Sequence, residues 1–324
     1  IPAAAGTGEA PAAPERTPAE ADGRSAAVDP ALPRYEPSTP VDGTLRFAGS
    51  DTMGNIAARW TDLFRGSHPG VQPQVEAKGS SIGPPALMEN RAQFAPMSRA
   101  MSHEEVDRFV ATFGYPPTEI RAGIDALGIF VHKDNPIEEL SLDDLAEAFS
   151  VSGGRTTWGD LGVEDSRWRD RPVQLYGRNS ASGTYGFFKD QALGGSDFKN
   201  DVKENPGSAG VVNAVARDPY GLGYSGIGYR TPDVKVVRLA YAEGEEAFEP
   251  TPENANTGDY PLARFMYLYT NYDRRRELDP LRAEFLRLVF SQQGQEAVVQ
   301  DGFYPVTADI AAEELAKVGL ELQR

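Results

Sequence analysis

The chain has 324 residues, of which 40% are hydrophobic and 10% aromatic, a composition that supports packed cores and suits two domains. Its formal net charge of −16 argues against a nucleic-acid partner, because binding phosphate backbones requires a basic surface. The absence of cysteine excludes disulfides, thiolate metal sites and cysteine nucleophiles. No apolar run reaches the roughly 18 residues of a membrane span.

Residues 1–42 are predicted to form a disordered tether. They are rich in Ala, Pro and small polar residues, and a stretch without apolar periodicity cannot bury enough surface to offset its ordering entropy. Because Ile1 opens directly onto polar sequence, we expect that any signal peptide has been removed. A lipid anchor on a residue upstream of Ile1 is compatible with this start.

The first half of the remaining sequence predicts strands and helices in alternation. Strands are expected at 45–48, 71–77 and 93–97. Between the first two lies a helix whose apolar residues recur at 3.6-residue spacing: Met53, Ile56, Ala57, Trp60, Leu63 and Phe64. Ser102 and Glu105 have the spacing of a capping box and predict the start of a helix.

The second half continues the same pattern. Residues 124–132 form an apolar run typical of a buried strand, and further strands are expected at 173–176, 224–229, 234–239 and 265–270. Helices are expected at 143–149, after residue 182, at 281–291 and at 295–300. Strands alternating with helices predict an α/β architecture with mostly parallel sheets.

Three turns share one design. Each follows a strand, carries Ser, Thr or Gly, and opens a helix: residues 49–52, 79–81 and 182–184. The first turn of a helix has unpaired N–H donors and the positive end of the helix dipole, which together favour anions. Arg178 stands four residues before Ser182. The three turns together therefore indicate a site for an oxyanion.

The residues around these turns resemble those of the periplasmic phosphate-binding proteins of ABC transporters. The matching stretches are Gly49-Ser-Asp-Thr-Met53, Gly79-Ser-Ser81, Pro96-Met-Ser-Arg99, the stretch from Tyr176 to Gly186, and the stretch from Gly223 to Tyr229. The pattern Arg-x-x-x-Ser-Gly-Thr at 178–184 is the most specific part. The resemblance runs from about residue 44 to the C-terminus and leaves the tether uncovered.

The resemblance implies a two-lobed periplasmic binding protein fold of type II. Lobe I would comprise residues 43–128 plus 265–324, and lobe II residues 129–264, with a hinge of crossing strands near 129–131 and 264–266. It implies capture of inorganic phosphate between the lobes for delivery to a membrane permease, without turnover, cofactor or metal. A periplasmic or extracytoplasmic monomer is expected.

The resemblance also assigns the binding residues. It gives Asp51 and Thr52 for the first turn, Ser80 for the second, Arg178 as the arginine that pairs with phosphate, and the donors of the Ser-Gly-Thr pattern for the third turn. In full, the expected phosphate-binding residues are Ser50, Asp51, Thr52, Ser80, Ser98, Arg99, Arg178, Ser182, Gly183 and Thr184.

One position departs from the family. Where the family places an aspartate that accepts the proton of phosphate, this sequence has Ser98, followed by Arg99. A carboxylate repels a fully ionised anion but accepts a hydrogen bond from a protonated one. We therefore expect Asp51 to accept the proton and Arg99 to add a second cation.

Alternative functions remain open from the sequence alone. The missing aspartate makes a binder of another oxyanion, such as sulfate, a competing interpretation. Residues 79–83 also fit the G-x-S-x-G pattern of hydrolases, and a phosphate-ester hydrolase would use Ser81 or Asp51 as nucleophile. That chemistry needs a positioned histidine, and the chain has three histidines in all. An anchored sensor or adhesion protein that has kept the fold is a further alternative.

Overall fold

The computed structural model describes residues 26–323, so residues 1–25 of the predicted tether lie outside the described residues. The strands in this range are β1 Gly43–Gly49, β2 Val71–Ala77, β3 Ala95–Met97, β4 Thr118–His132, β5 Glu139–Ser141, β6 Gln174–Arg178, β7 Lys203–Asn205, β8 Gly221–Gly226, β9 Val234–Val236, β10 Arg238–Ala240 and β11 Ala263–Thr270. The helices are α1 Gly54–Ser67, α2 Gly83–Met88, α3 His103–Phe113, α4 Leu142–Phe149, α5 Gly183–Ala192, α6 Ser208–Arg217, α7 Pro252–Thr257, α8 Pro280–Val289, α9 Gln292–Gln300 and α10 Ala308–Ala316. None of these helices combines the length and the apolar character needed to cross a bilayer.

Strand β4 connects the two halves of the molecule. It pairs with β11 from Thr118 to Ala126 and then with β8 from Leu127 to Val131. The large sheet has seven strands, in the order β3-β11-β4-β8-β6-β7, with β9 also paired to β4. Its strands therefore belong to two lobes that share one continuous strand, as expected for crossing strands at a hinge. The lobe boundaries at 128/129 and 264/265 stay predictions.

The expectation of mostly parallel sheets is wrong for the central sheet. Strand β4 is antiparallel to β8, β9 and β11, and β3 is antiparallel to β11. Parallel pairing is confined to β1 with β2, β5 with β10, and β6 with β7 and β8, among the described strands. The reason is that β4 and β11 carry the chain between the lobes in opposite directions, a role that single-strand patterns do not reveal.

Helices with strong local signals are confirmed. In α1, Ile56, Trp60 and Phe64 are buried as the 3.6-residue spacing predicts, although Leu63 is 41% exposed and lies outside the buried stripe. The capping box of α3 is also present, since Ser102 and the Glu105 side chain cap each other's backbone N–H groups. Local chemistry was sufficient in both cases because each signal is carried by residues three or four positions apart in one helix.

Several short elements were not predicted, and one of them matters for the site. Helix α6 begins at Ser208, directly after Gly207 at φ 113°, a conformation that favours glycine. Its buried apolar residues Val211, Val212 and Val215 have helical spacing. The spacing of these valines is therefore a sequence signal for this helix.

Two aromatic clusters fill the cores on either side of β4. In one, Phe285 packs against Phe47, Phe64 and Phe94 with ring centroids 5.1–5.5 Å apart. In the other, Phe188 of α5 stacks on Tyr224 of β8 with centroids 4.0 Å apart. The second stack fixes α5 against the sheet, and the Tyr224 hydroxyl also accepts a hydrogen bond from the backbone N–H of Arg178 at 3.3 Å.

Residues 26–42 do not match the predicted disordered tether. Leu32 and Tyr35 are buried, at 2% and 8% exposure, and the Gln292 N–H donates to the carbonyl of Pro33 at 2.8 Å. The Tyr35 hydroxyl lies 2.6 Å from Nε2 of His68 and donates to Glu284 at 3.1 Å. The apolar residues of this segment are too few to show a period, yet they suffice to dock it on α1, α8 and α9.

We expect Leu32→Ala to destabilise the protein by about 2–5 kcal/mol, because it removes a buried leucine and leaves a cavity. The matched control is Leu63→Ala, which truncates an exposed leucine and should change stability by no more than about 0.5 kcal/mol. Urea unfolding followed by tryptophan fluorescence compares the two variants. Equal midpoints would mean that the segment does not pack on the folded protein in solution.

Candidate functional site

The turns predicted from the sequence converge at the junction of the two lobes. The turn after β1, the 3-10 turn Ser80–Ile82 and the end of β3 come from one side. The end of β6 and the first turns of α5 and α6 come from the other. Hydroxyl groups join the two sides, since Thr52 and Thr184 lie 3.1 Å apart between their Oγ1 atoms. The site therefore spans both lobes.

Three serines form a buried cluster on the lobe I side. Ser50, Ser80 and Ser98 are each no more than 2% exposed. The Ser50 hydroxyl donates to Oγ of Ser98 at 3.1 Å, and the Ser98 backbone N–H donates to Oγ of Ser80 at 3.1 Å. The oxygens of Ser80 and Ser98 lie 3.4 Å apart. Each hydroxyl can donate one hydrogen bond, and because that of Ser50 goes to Ser98, the hydroxyls of Ser80 and Ser98 are the ones that can face an oxyanion.

The absence of a side chain at Gly183 allows the two sides to meet. A Cβ atom at this position would lie 2.2 Å from Oγ of Ser80 and 2.7 Å from Oγ of Ser98. Nearby, the backbone N–H and the hydroxyl of Ser81 both donate to the carbonyl of Ala181, at 3.2 and 3.1 Å. The structure is therefore a closed form in which the α5 turn contacts the serine cluster directly.

Asp51 and Arg178 form an ion pair across the junction, with 2.6 Å between Oδ1 and Nη2. The second carboxylate oxygen, Oδ2, accepts from the backbone N–H and the hydroxyl of Ser208, at 3.1 and 3.2 Å. Arg178, which is 3% exposed, also donates from Nη1 to Oγ of Ser208 at 2.9 Å. The donors of Arg178 and of the α6 N-terminus thus already hold one anionic group, the Asp51 carboxylate.

The remaining residues of the Ser-Gly-Thr pattern have different roles. The Ser182 hydroxyl oxygen caps α5 by accepting from the backbone N–H groups of Thr184 and Tyr185, at 3.1 and 3.4 Å. The Thr184 hydroxyl is fully buried and accepts from Nη2 of Arg264 at 2.9 Å. Ser182 therefore fixes the turn, whereas Thr184 lies at the contact between the lobes.

Arg99 does not join the cluster through its guanidinium group. Its two terminal nitrogens pair with both carboxylate oxygens of Glu105, each at 2.7 Å, and Nη1 also donates to the carbonyl of Ala100. Burial would raise the pKa of Glu105, but the hydrogen bonds from Arg99 and from Ser102 lower it below its ordinary value. The pairing ties Arg99 to the start of α3, so its predicted role as a second cation of the site has no contact to support it.

Three residues that the structure places at the site were not predicted from the sequence: Ser208, Asp125 and Arg264. Asp125 lies in the apolar run of β4, and a charge in a buried strand requires a partner. That partner is Arg264, whose Nη2 atom lies 2.7 Å from Oδ2 of Asp125. The aspartate in a buried strand therefore indicated that a partner must exist. The sequence did not show that this partner is Arg264, 139 positions away.

Metal ligation receives no support from the arrangement of side chains. Within residues 26–323 no three His, Asp or Glu side chains are grouped so that they could hold a metal ion. The site is instead built from hydroxyls, backbone N–H groups and paired charges, which is the chemistry of anion binding.

Comparison with known proteins agrees with this chemistry. Residues 35–293 match the family model of the PBP superfamily domain. The phosphate-binding protein PstS of Pseudomonas aeruginosa is 47% identical over 301 residues, covering 91% of this chain and 93% of that protein. The phosphate-binding protein PstS of Staphylococcus haemolyticus is 26% identical over 259 residues, covering 79% of each.

Solved structures show the same fold at lower identity. A substrate-binding protein from Clostridium perfringens, solved with bound phosphate, has a TM-score of 0.69 and 22% identity, covering 82% of this chain and all of that one. An ABC-type phosphate transport receptor from Vibrio cholerae has a TM-score of 0.65 and 21% identity, covering 81% of this chain and all of that one. The chain therefore belongs to the PBP superfamily and, within it, to the family of the PstS phosphate-binding proteins.

Proposed function

We propose that this protein binds inorganic phosphate between its two lobes and delivers it to the permease of an ABC transporter. The observation that carries the proposal is the set of donors at the lobe junction: the buried hydroxyls of Ser80, Ser98 and Thr184, the N-terminus of α6, and Arg178. Phosphate presents four oxygens that can accept from such donors. Hydrogen bonds to charged groups contribute about 1.5–3 kcal/mol each, so a handful suffices for micromolar affinity.

The proposed role is capture rather than turnover. A hydrolase would need a general base beside its nucleophile. The hydroxyl of Ser81, the candidate nucleophile, donates to the carbonyl of Ala181, while His68 bonds to Tyr35 and His132 lies 3.7 Å from Asp134. These contacts favour a binding protein that works by closing and opening its lobes.

Asp51 is the residue that we propose as acceptor of the phosphate proton. Its carboxylate is 17% exposed, bridges the lobes, and shares the donors of Arg178 and Ser208. An entering phosphate would compete for these donors and would then face the carboxylate. A protonated oxygen can donate to Asp51, whereas sulfate, which carries no proton at neutral pH, would only be repelled.

The cellular setting follows from the proposed role. A protein that delivers phosphate to a membrane permease must work outside the cytoplasm, in the periplasm or at the outer face of the membrane. We propose that it acts there as a monomer and that the closed form, in which both lobes contribute to one surface, is recognised by the permease.

Calorimetric titration tests the function directly, after the protein has been unfolded, dialysed and refolded to remove any bound ligand. We expect about one phosphate per chain with micromolar or tighter affinity, and weak or undetectable binding of sulfate. A heat of binding with sulfate but not with phosphate would identify sulfate as the ligand. No heat of binding with either anion would refute the anion-binding role.

Gly183→Ala is expected to weaken phosphate binding about tenfold or more. The added Cβ would overlap Oγ of Ser80, and overpacking of this kind costs about 1–3 kcal/mol. Gly186→Ala is the matched control in the same helix, because its Cβ would meet only the flexible Arg99 side chain, at 3.2 Å. The same titration measures both variants, and equal affinities would contradict the closed arrangement of the site.

Asp51→Asn is expected to reduce the preference for phosphate over sulfate about tenfold or more, since the neutral amide no longer repels a fully ionised anion. Competition titrations at neutral pH give the ratio of the two affinities. Asp62→Asn, on the exposed face of α1, makes the same change in charge away from the site and should leave the ratio unchanged. An unaltered ratio in Asp51→Asn would assign the proton to another acceptor.

A further inference from the structure

A buried ion pair lies directly beside the proposed phosphate site. Arg264 and Asp125 face each other across the β4–β11 ladder, and their side chains are 2% and 0% exposed. Nε and Nη2 of Arg264 donate to Oδ2 of Asp125, at 3.0 and 2.7 Å. Removing two charges from water is unfavourable and is often not repaid by their attraction. The location of the pair therefore suggests a role beyond stability.

The pair reaches the site through one hydroxyl group. Nη2 of Arg264 also donates to Oγ1 of Thr184 at 2.9 Å. A guanidinium group can only donate hydrogen bonds, so the Thr184 oxygen acts as the acceptor in this contact. The Thr184 proton must then point away from Arg264. In the closed structure it has Thr52 Oγ1 as a neighbour at 3.1 Å, on the opposite side of the lobe junction.

Two further contacts and a tight environment keep the pair in place. Oδ1 of Asp125 accepts from the backbone N–H of Ile227 at 3.0 Å. The guanidinium carbon of Arg264 lies 5.1 Å from the ring centroid of Phe187, three residues after Thr184 in α5. A Cβ at Gly226 would lie 3.2 Å from Asp125 Oδ2 and 3.1 Å from Cγ2 of Thr52, so the space around the carboxylate is tight.

We propose that Arg264, held by Asp125, is a positioning residue that turns the Thr184 hydroxyl into a fixed hydrogen-bond donor for the bound anion. The inference rests on the proposed phosphate-binding function and deepens it. A fixed donor can pair only with an unprotonated oxygen of the ligand. Arg264 therefore strengthens the binding of any tetrahedral oxyanion, whereas the choice between phosphate and sulfate depends on Asp51.

A double-mutant cycle tests the role, with the phosphate dissociation constant measured by calorimetry. Arg264→Met is combined with Asp125→Asn so that no buried charge is left unpaired, and Thr184→Val removes the hydroxyl at nearly constant shape. We expect the paired substitution and Thr184→Val each to weaken phosphate binding about tenfold. Together they should weaken it no more than Thr184→Val alone, because the pair acts through that hydroxyl.

Effects that multiply to about a hundredfold would overturn the positioning role. They would mean that the guanidinium acts on the anion independently of Thr184, for example through Nη1, which is buried without a hydrogen-bond partner within residues 26–323. Unchanged affinity in Thr184→Val would overturn it too. Because Thr184→Val keeps the ion pair intact, this variant can still be measured if the paired substitution does not fold. A wild-type protein that binds no phosphate would instead refute the proposed function itself.

A second ion pair on β4 supplies the control for stability. Arg121 pairs with Glu314, whose side chain is fully buried. Arg121→Met combined with Glu314→Gln removes a comparable ion pair away from the site and should leave phosphate affinity unchanged, whatever its effect on the thermal midpoint. Competition with sulfate adds a second readout, since the Arg264 pair should leave the phosphate-to-sulfate ratio as it is in the wild type. A change in that ratio would count against the assignment.

Discussion

Strand β4 runs without interruption from one lobe into the other, and the geometry of the site depends on this continuity. Between Thr118 and Ala126 it pairs with β11, with one register shift, and from Leu127 onwards it pairs with β8. The turns that supply Ser50, Ser80 and Ser98 belong to one side of this strand, and those that supply Arg178 and Ser208 to the other. A strand shared by both lobes restricts how they can move relative to each other. The candidate site is formed by residues from both sides of the junction rather than carried by either lobe alone.

Charge at the junction is balanced in a chain that is strongly acidic. Arg178 is paired with Asp51 and Arg264 with Asp125, and all four groups are linked through Ser208, Thr52 and Thr184. Net charge governs solubility and approach, whereas affinity comes from groups that are held in place away from water. A formal charge of −16 is therefore compatible with an anion site, because the bound anion meets fixed donors and not the average surface.

What could be predicted from the sequence depended on the distance over which each signal acts. The capping box of α3 and the apolar stripe of α1 involve neighbours within one or two helical turns, and both are present. The Ser-Gly-Thr pattern likewise predicted the turn at α5.

Arg264 and Asp125 could not be paired in advance, because nothing in a single sequence links residues 139 positions apart. Residues 26–42 do not match the predicted tether for a similar reason, since Tyr35 bonds to His68 and Glu284, which lie 33 and 249 positions away. Arg99 was expected at the site because it follows Ser98. Both of its terminal nitrogens instead pair with the carboxylate of Glu105, and a bidentate pair of this kind is among the stronger hydrogen-bonded contacts.

The contact between Asp51 and Arg178 also bears on release. An arginine that is 3% exposed would be left as an unpaired buried cation if its ligand departed from a closed site. With a carboxylate 2.6 Å away, the guanidinium exchanges one anion for another. The affinity for phosphate would then reflect the competition between phosphate and the Asp51 carboxylate for the same nitrogens, and the carboxylate could take the place of a leaving phosphate. Tight capture and prompt unloading are opposing demands, and an internal counter-ion reconciles them by lowering the free energy of the emptied state.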